Sequence, residues 1–142
     1  MAEEEEGKPH IIIDNGSCYI KAGFGEDEEP KSVFPTILGE NPKYKRMLGG
    51  DHIEFYVGQD AVAKRGILNI KYPMKRDVIK DWDIMEKIWS YIFTNELRVA
   101  PEEHNILVTQ PVNNIKENKE KIAESMFETF DIPGLYRICP SF

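Results

Sequence analysis

The sequence predicts an α/β fold, a mixed sheet with helical crossovers plus a small inserted lobe. Three observations predict it. Ile11 to Phe24 reads as two short strands about a tight turn. Two longer segments, from Asp81 to Leu97 and from Asn114 to Phe130, carry apolar residues at helical spacing. Short apolar runs lie between and after them, and antiparallel strands followed by alternating helices and strands build such a sheet.

The first strand opens on Ile11, Ile12 and Ile13, a β-branched run of the buried-strand type. Asp14 ends it. Asn15-Gly16 follows, a strong hairpin signal because both residue types tolerate positive φ. The second strand runs from Cys18 to Phe24. The tip would then gather the Asp14 carboxylate, the Ser17 hydroxyl, unpaired amides and the Lys21 ammonium. Small turn residues let backbone N–H groups approach phosphate oxygens, and such clusters bind anions. Ser17 adds a hydroxyl donor and Lys21 a point charge, while Asp14 can hold Mg²⁺ through water. An ordinary hairpin with a solvated turn fits the same residues, and local sequence leaves both readings open.

Residues 25–30 form a polar loop, and Lys31 to Pro35 reads as a third strand with Val33 and Phe34 as its apolar core. Thr36 to Gly39 leads out of it. Glu40 to Glu54, with Lys43, Lys45 and Arg46, reads as a mobile exposed loop whose Met47-Leu48 pair suits either insertion into a partner or a plain surface. Phe55 to Val57 is a short strand, and Gln59 to Arg65 a short helix stopped by Gly66. Ile67 to Tyr72 is a strand ended by Pro73, and Met74 to Lys80 connects. The helix from Asp81 to Leu97 has its stripe at Trp82, Met85, Ile88, Trp89, Ile92 and Phe93. Asp81 or Asp83 caps it, Asp83 with Glu86 having capping-box spacing, and the tryptophans read as core. After a turn over 99–104, Asn105 to Thr109 is a buried-type strand. The second helix pairs Asn114 with Glu117 at its start and carries Ile115, Ile122, Met126, Phe127 and Phe130 as its stripe. Pro133-Gly134 breaks it, and Leu135 to Cys139 is a last strand. The resulting division is a disordered acidic tail over 1–8, a large lobe from 9–33 and 71–142, and a small lobe over 34–70 with its mobile loop at 40–54.

The 142 residues suffice for one domain with a real core. The net charge of −7 argues against general nucleic-acid affinity, which needs a basic face. No apolar run approaches membrane-spanning length, and the first residues carry no apolar signal segment. Cys18 and Cys139 suggest neither a disulfide framework nor a zinc site, so a reduced, intracellular setting is expected.

Several stretches then resemble one family in order and spacing. They include DNGS (Asp14–Ser17), KAGF (Lys21–Phe24), VFPTILG (Val33–Gly39), YVGQDA (Tyr56–Ala61) and KRGIL (Lys64–Leu68). KYP (Lys71–Pro73), WDIMEKIW (Trp82–Trp89), NELRVAPEEH (Asn95–His104) and MFETF (Met126–Phe130) continue the match. From Pro9 to Tyr136 the chain is similar to the N-terminal part of actins and actin-related proteins. The resemblance implies the first half of an actin-like, ribonuclease H-like fold, shared with sugar kinases, that binds ATP and Mg²⁺ in a cleft between two halves. It places Asn15, Gly16, Ser17, Cys18, Tyr19 and Lys21 at the phosphates and Asp14 on metal-bound water. It makes residues 40–54 the loop that inserts into the next filament subunit. It also implies actin, actin-related proteins and actin-binding proteins as partners, in the cytoplasm and cytoskeleton.

The departures are specific. Cys18 stands where actins place glycine, and Arg76 replaces a histidine tied to phosphate release. Residues 40–54 are more basic than the family's loop. After Tyr136 the wording changes to RICPSF, with Pro140 where the family carries the glutamine that positions the attacking water. The expectation is a truncated actin-like product, unable alone to hydrolyse ATP or polymerise, with an apolar sheet face exposed. The alternative is an actin-derived binding module that docks on actin or an actin-related-protein complex. A kinase of the wider superfamily fits less well, because the actin-type wording carries no phosphoryl-acceptor site.

Overall fold

A computed structural model describes residues 8–41, 55–110 and 116–138. Residues 1–7 of the acidic tail, most of the 40–54 loop, the Asn114 cap with Ile115, and the segment from Cys139 through Pro140 lie outside the described residues. The strands in order are β1 (Ile11–Asn15), β2 (Tyr19–Phe24), β3 (Ser32–Pro35), β4 (Leu38–Glu40), β5 (Phe55–Val57), β6 (Asn69–Lys71), β7 (Met74–Lys75), β8 (Val78–Ile79), β9 (Ile106–Thr109) and β10 (Leu135–Ile138). The α-helices among the described residues are α1 (Gln59–Ala63), α2 (Trp82–Tyr91) and α3 (Lys116–Glu124).

The main sheet has the order β10-β9-β1-β2-β3. β1 pairs antiparallel with β2, and β2 with β3, whereas β1 and β10 both run parallel to β9. The mixed sheet predicted from the sequence is therefore present. Its core face presents Ile11, Ile13, Ile20, Ala22, Phe34, Ile106 and Val108, all buried against Ile84, Met85, Ile88 and Trp89 of α2 and Ile122 and Met126 near α3. Burying each large aliphatic side chain contributes roughly 1.5–3 kcal/mol, which makes this layer the main stabilising term.

Among the described residues the opposite face is thinly covered. Ile12, Asp14, Leu107 and Thr109 are half-buried there, and Tyr19, Val33, Tyr136 and Ile138 are exposed. Val33 and Phe34 read from sequence as the apolar centre of β3, yet they part company. The strand's two-residue alternation sends Val33 the other way, leaving it 51% exposed while Phe34 is 5% exposed.

Both long helices end alike. Asp81 caps α2, its carboxylate accepting from the Ile84 amide at 3.1 Å, so the Asp83 alternative is not used. α2 widens into a π-helical turn over Ile92–Glu96 and α3 into one over Ser125–Thr129. Each then stops at a left-handed residue, Arg98 (φ 56°) and Asp131 (φ 56°). Val99 N–H bonds back to Phe93 C=O, and Ile132 N–H to Met126 C=O. These closures are one residue wider than a Schellman cap, as a π-helical last turn requires. The second helix thus breaks at Asp131, ahead of Pro133-Gly134. Phe127, placed in its stripe by sequence, is 43% exposed because the neighbouring Met126 takes the buried position.

Other boundaries also moved. Leu38–Glu40 is a strand rather than a lead-out, and α1 ends at Ala63 and passes into a 3₁₀ turn over Arg65–Ile67 that contains Gly66. Gly66 is therefore not a helix stop. Met74 to Lys80 is no plain connection: Lys75 pairs with Val78 around Arg76 (φ 55°) and Asp77 (φ 66°), both left-handed as in a two-residue I′ hairpin.

β4 is also the centre of a second antiparallel sheet, β5-β4-β6, backed by a small cluster of Ile37, Ala61 and Leu68. Gly58 joins β5 to α1 at φ 65°, where a Cβ would lie 2.8 Å from the Phe34 ring. The Glu40 carboxylate meets Lys71 at 3.3 Å and Lys87 of α2 at 3.8 Å, so it ties this sheet to the larger layer. Elsewhere, Tyr91 and Ser32 donate to opposite oxygens of Glu96, at 2.8 and 2.5 Å, and bind β3 to the end of α2. Burial and the Glu96 carboxylate push the Tyr91 hydroxyl pKa upward, which keeps it a donor.

The two sheet faces should respond differently to truncation. Ile88→Ala is expected to cost about 2–5 kcal/mol in urea denaturation, and Val33→Ala less than about 0.5 kcal/mol. Equal losses would contradict the assignment of the faces.

Candidate functional site

The site lies at the carboxyl ends of β1 and β9, where the sheet changes from parallel to antiparallel pairing. Ligands of open α/β sheets bind outside such strand ends. β1 alternates there: Asn15 is 8% exposed and turned to the core, and Asp14 faces the open side.

Thr109, at the end of β9, links the two. Its Oγ1 accepts from the Asn15 backbone N–H at 3.1 Å and donates to Asp14 Oδ1 at 2.8 Å. The hydroxyl direction is thereby fixed, and one Asp14 oxygen is held in place. The Asn15 side chain accepts from Trp89 Nε1–H at 3.2 Å, while its Nδ2 is buried with no partner. Nδ2 belongs to a residue lining a cavity of about 10 Å³, with Asp77, Thr109, Gln110, Asn118 and Ile122 among the other walls. That volume matches about one water molecule.

The connection differs from the two-residue hairpin expected at Asn15-Gly16. Asn15 pairs with Ile20, and three residues, Gly16 to Cys18, lie between β1 and β2, while neither Asn15 nor Gly16 has positive φ. The reason lies in Thr36. Its hydroxyl donates to Gly16 C=O at 2.7 Å and its amide to Cys18 C=O at 3.0 Å, holding a wider loop open. Gly16 is needed for space rather than for φ, since a Cβ there would sit 2.5 Å from Tyr19 O. β2 accordingly begins at Tyr19, one residue after the expected start.

The predicted site residues divide into three groups. Asp14 and Lys21 are cross-strand partners on the open face and line a groove of about 300 Å³ with Thr109. Asp27, Glu28 and Glu29 line its other side, which makes that rim acidic. Gly16, Ser17 and Cys18 form the loop, with the Cys18 thiol free and exposed and Tyr19 54% exposed beside it. Asn15 lies beneath, in the core layer. Ser17 is engaged by the β7–β8 tip: its Oγ accepts from Asp77 N–H at 2.6 Å and donates to Asp77 Oδ1 at 3.3 Å.

Sequence reasoning missed Thr36, Asp77, Trp89 and Thr109 as site-forming residues. Thr109 carried a signal, a hydroxyl closing an otherwise apolar strand. Trp89 carried none beyond its place in the stripe, because its indole N–H finds Asn15 only across the packed layer.

Thr109→Val keeps the shape but removes one acceptor and one donor. It is expected to cost about 1–3 kcal/mol, with faster amide exchange at Asn15, and Thr109→Ser should restore most of both. An unchanged exchange rate would show that the Thr109 link does not hold the strand end.

A family-wide sequence model described as Actin matches residues 5–140 of the chain.

Proposed function

The chain belongs to the actin family, and on that premise we propose that its β1–β2 hairpin holds the phosphates of ATP with Mg²⁺. The observation that carries this reading is the pairing of Asp14, fixed by Thr109, with Lys21 directly across the strands beside a loop whose glycine admits no side chain. The donor set suits the group. Ser17 Oγ and the amides of Gly16, Ser17, Cys18 and Tyr19 would bind phosphate oxygens, and Lys21 would neutralise charge. Asn15 supports from below by anchoring the strand end. Mg²⁺, when bound, screens phosphate charge and keeps most of its water. Asp14, its carboxylate held by Thr109, would hold that water.

The family binds ATP between two walls, and these residues furnish one. An exposed charge pair contributes about 0–1 kcal/mol, so these residues by themselves are expected to hold Mg-ATP weakly, with Kd of about 1 mM or higher. Residues 34–70 would serve as the small lobe and 9–33 with 71–142 as the larger one; the second sheet and its own cluster support this reading, while Phe34 and Pro35 belong to β3 of the main sheet. The proposed setting is cytoskeletal and cytoplasmic, with actin or actin-related proteins as partners. Among the described residues no helix is long and apolar enough to cross a membrane.

A second reading is favoured by the open sheet face with Tyr19, Val33, Tyr136 and Ile138. In it the chain is a module that docks on actin or an actin-related-protein complex. A polymer former would pellet alone with ATP, whereas a module would pellet only with its partner.

Titrating Mg-ATP into the chain while following backbone amide resonances tests the first reading. Shifts confined to residues 14–21, weakened by Lys21→Ala, are expected. Micromolar affinity would overturn the one-wall account, and unshifted hairpin amides would overturn the phosphate site.

A further inference from the structure

We propose that Asp77 is an internal competitor for phosphate at Ser17. The inference rests on the phosphate-binding reading of the hairpin and deepens it.

Ser17 has one hydroxyl proton. In this structure it is directed to Asp77 Oδ1, while the Asp77 amide donates to the same oxygen. A phosphate oxygen taking that proton must displace the carboxylate. It must also stand beside a negative charge, because the acceptor it replaces is itself an anion. Asp77 therefore occupies the place of an anionic ligand in both hydrogen-bonding and charge terms.

The position is held by the backbone. Arg76 and Asp77 are consecutive left-handed residues in a two-residue turn, with Lys75 and Val78 paired on either side. Pro73 C=O accepts from the Lys80 and Asp81 amides at 2.7 and 3.1 Å and joins the base of this hairpin to the start of α2. The tip is thus a fixed element aimed at the loop. Asp tolerates the left-handed region better than most residues, and Asn and Gly tolerate it as well. The carboxylate can be removed without changing the turn.

The consequence is an affinity set by two opposed contacts on one hydroxyl. Phosphate gains Lys21 and the loop amides but loses to Asp77 at Ser17. Removing one exposed like-charge contact should tighten binding by up to about fivefold.

The test is a Mg-ATP titration of the full 142-residue chain, read by amide shifts of residues 14–21, for wild type, Asp77→Asn, Asp77→Gly and Ser17→Ala. Support requires tighter binding by both Asp77 variants and weaker binding by Ser17→Ala. If Ser17→Ala weakens binding while neither Asp77 variant tightens it, the competition is refuted and the phosphate site stands. If no variant shifts the hairpin amides, both fail. Should Asp77→Asn lose its dispersed spectrum, Asp77→Gly carries the comparison, since glycine adopts the same φ without strain.

Discussion

Asn15 occupies the last position of β1 with its side chain in the core layer, and the geometry of the site depends on how it is held. Its Oδ1 takes the Trp89 indole N–H, and its backbone N–H goes to Thr109. One residue thus connects the helix beneath the sheet, the neighbouring parallel strand and the loop above. A buried amide of this kind is costly when unpaired, by about 1–3 kcal/mol per lost partner. That cost is why the strand end cannot slide. A one-residue slip would also send Asp14 into the core and an isoleucine to the site, which period-two alternation forbids.

From this fixed point the functional groups follow by alternation. If Asn15 faces inward, Asp14 faces out, and its cross-strand partner Lys21 must share that face. Thr109, in line on β9, reaches both the Asn15 amide and the Asp14 carboxylate. Neither charged residue is placed by a dedicated contact to the other. Their juxtaposition is a product of register, and register is set by the isoleucines of β1 packing on α2.

Much of this was legible in the sequence. The Ile11–Ile13 run marked the central strand, and the stripe from Trp82 to Phe93 marked the helix that covers it. Those patterns survive because burial on one face imposes them directly. What was not legible depended on partners far apart in the chain. The Asn15-Gly16 pair signals a tight turn in isolation, yet Thr36, from beyond β3, holds a wider loop instead. Arg76-Asp77 carries no glycine to signal a turn, although it forms the tight turn that Asn15-Gly16 does not. In both cases local propensity yielded to tertiary contacts.

The same two turns explain why the site is better described as balanced than as complete. A loop built only to bind phosphate would leave Ser17 open to solvent. Here Ser17 is paired with a left-handed residue whose backbone N–H would be offered equally by Asn or Gly, and whose side chain is an acid. The amide contact alone would fix the loop. The added carboxylate improves that contact only slightly in water, because exposed pairs contribute little, but it places negative charge at the proposed phosphate position. With Asp27, Glu28 and Glu29 along the adjoining groove, Lys21 is outnumbered by acids on its own face. Charge, more than shape, therefore limits how strongly this hairpin can hold an anion unless further cations are brought to it.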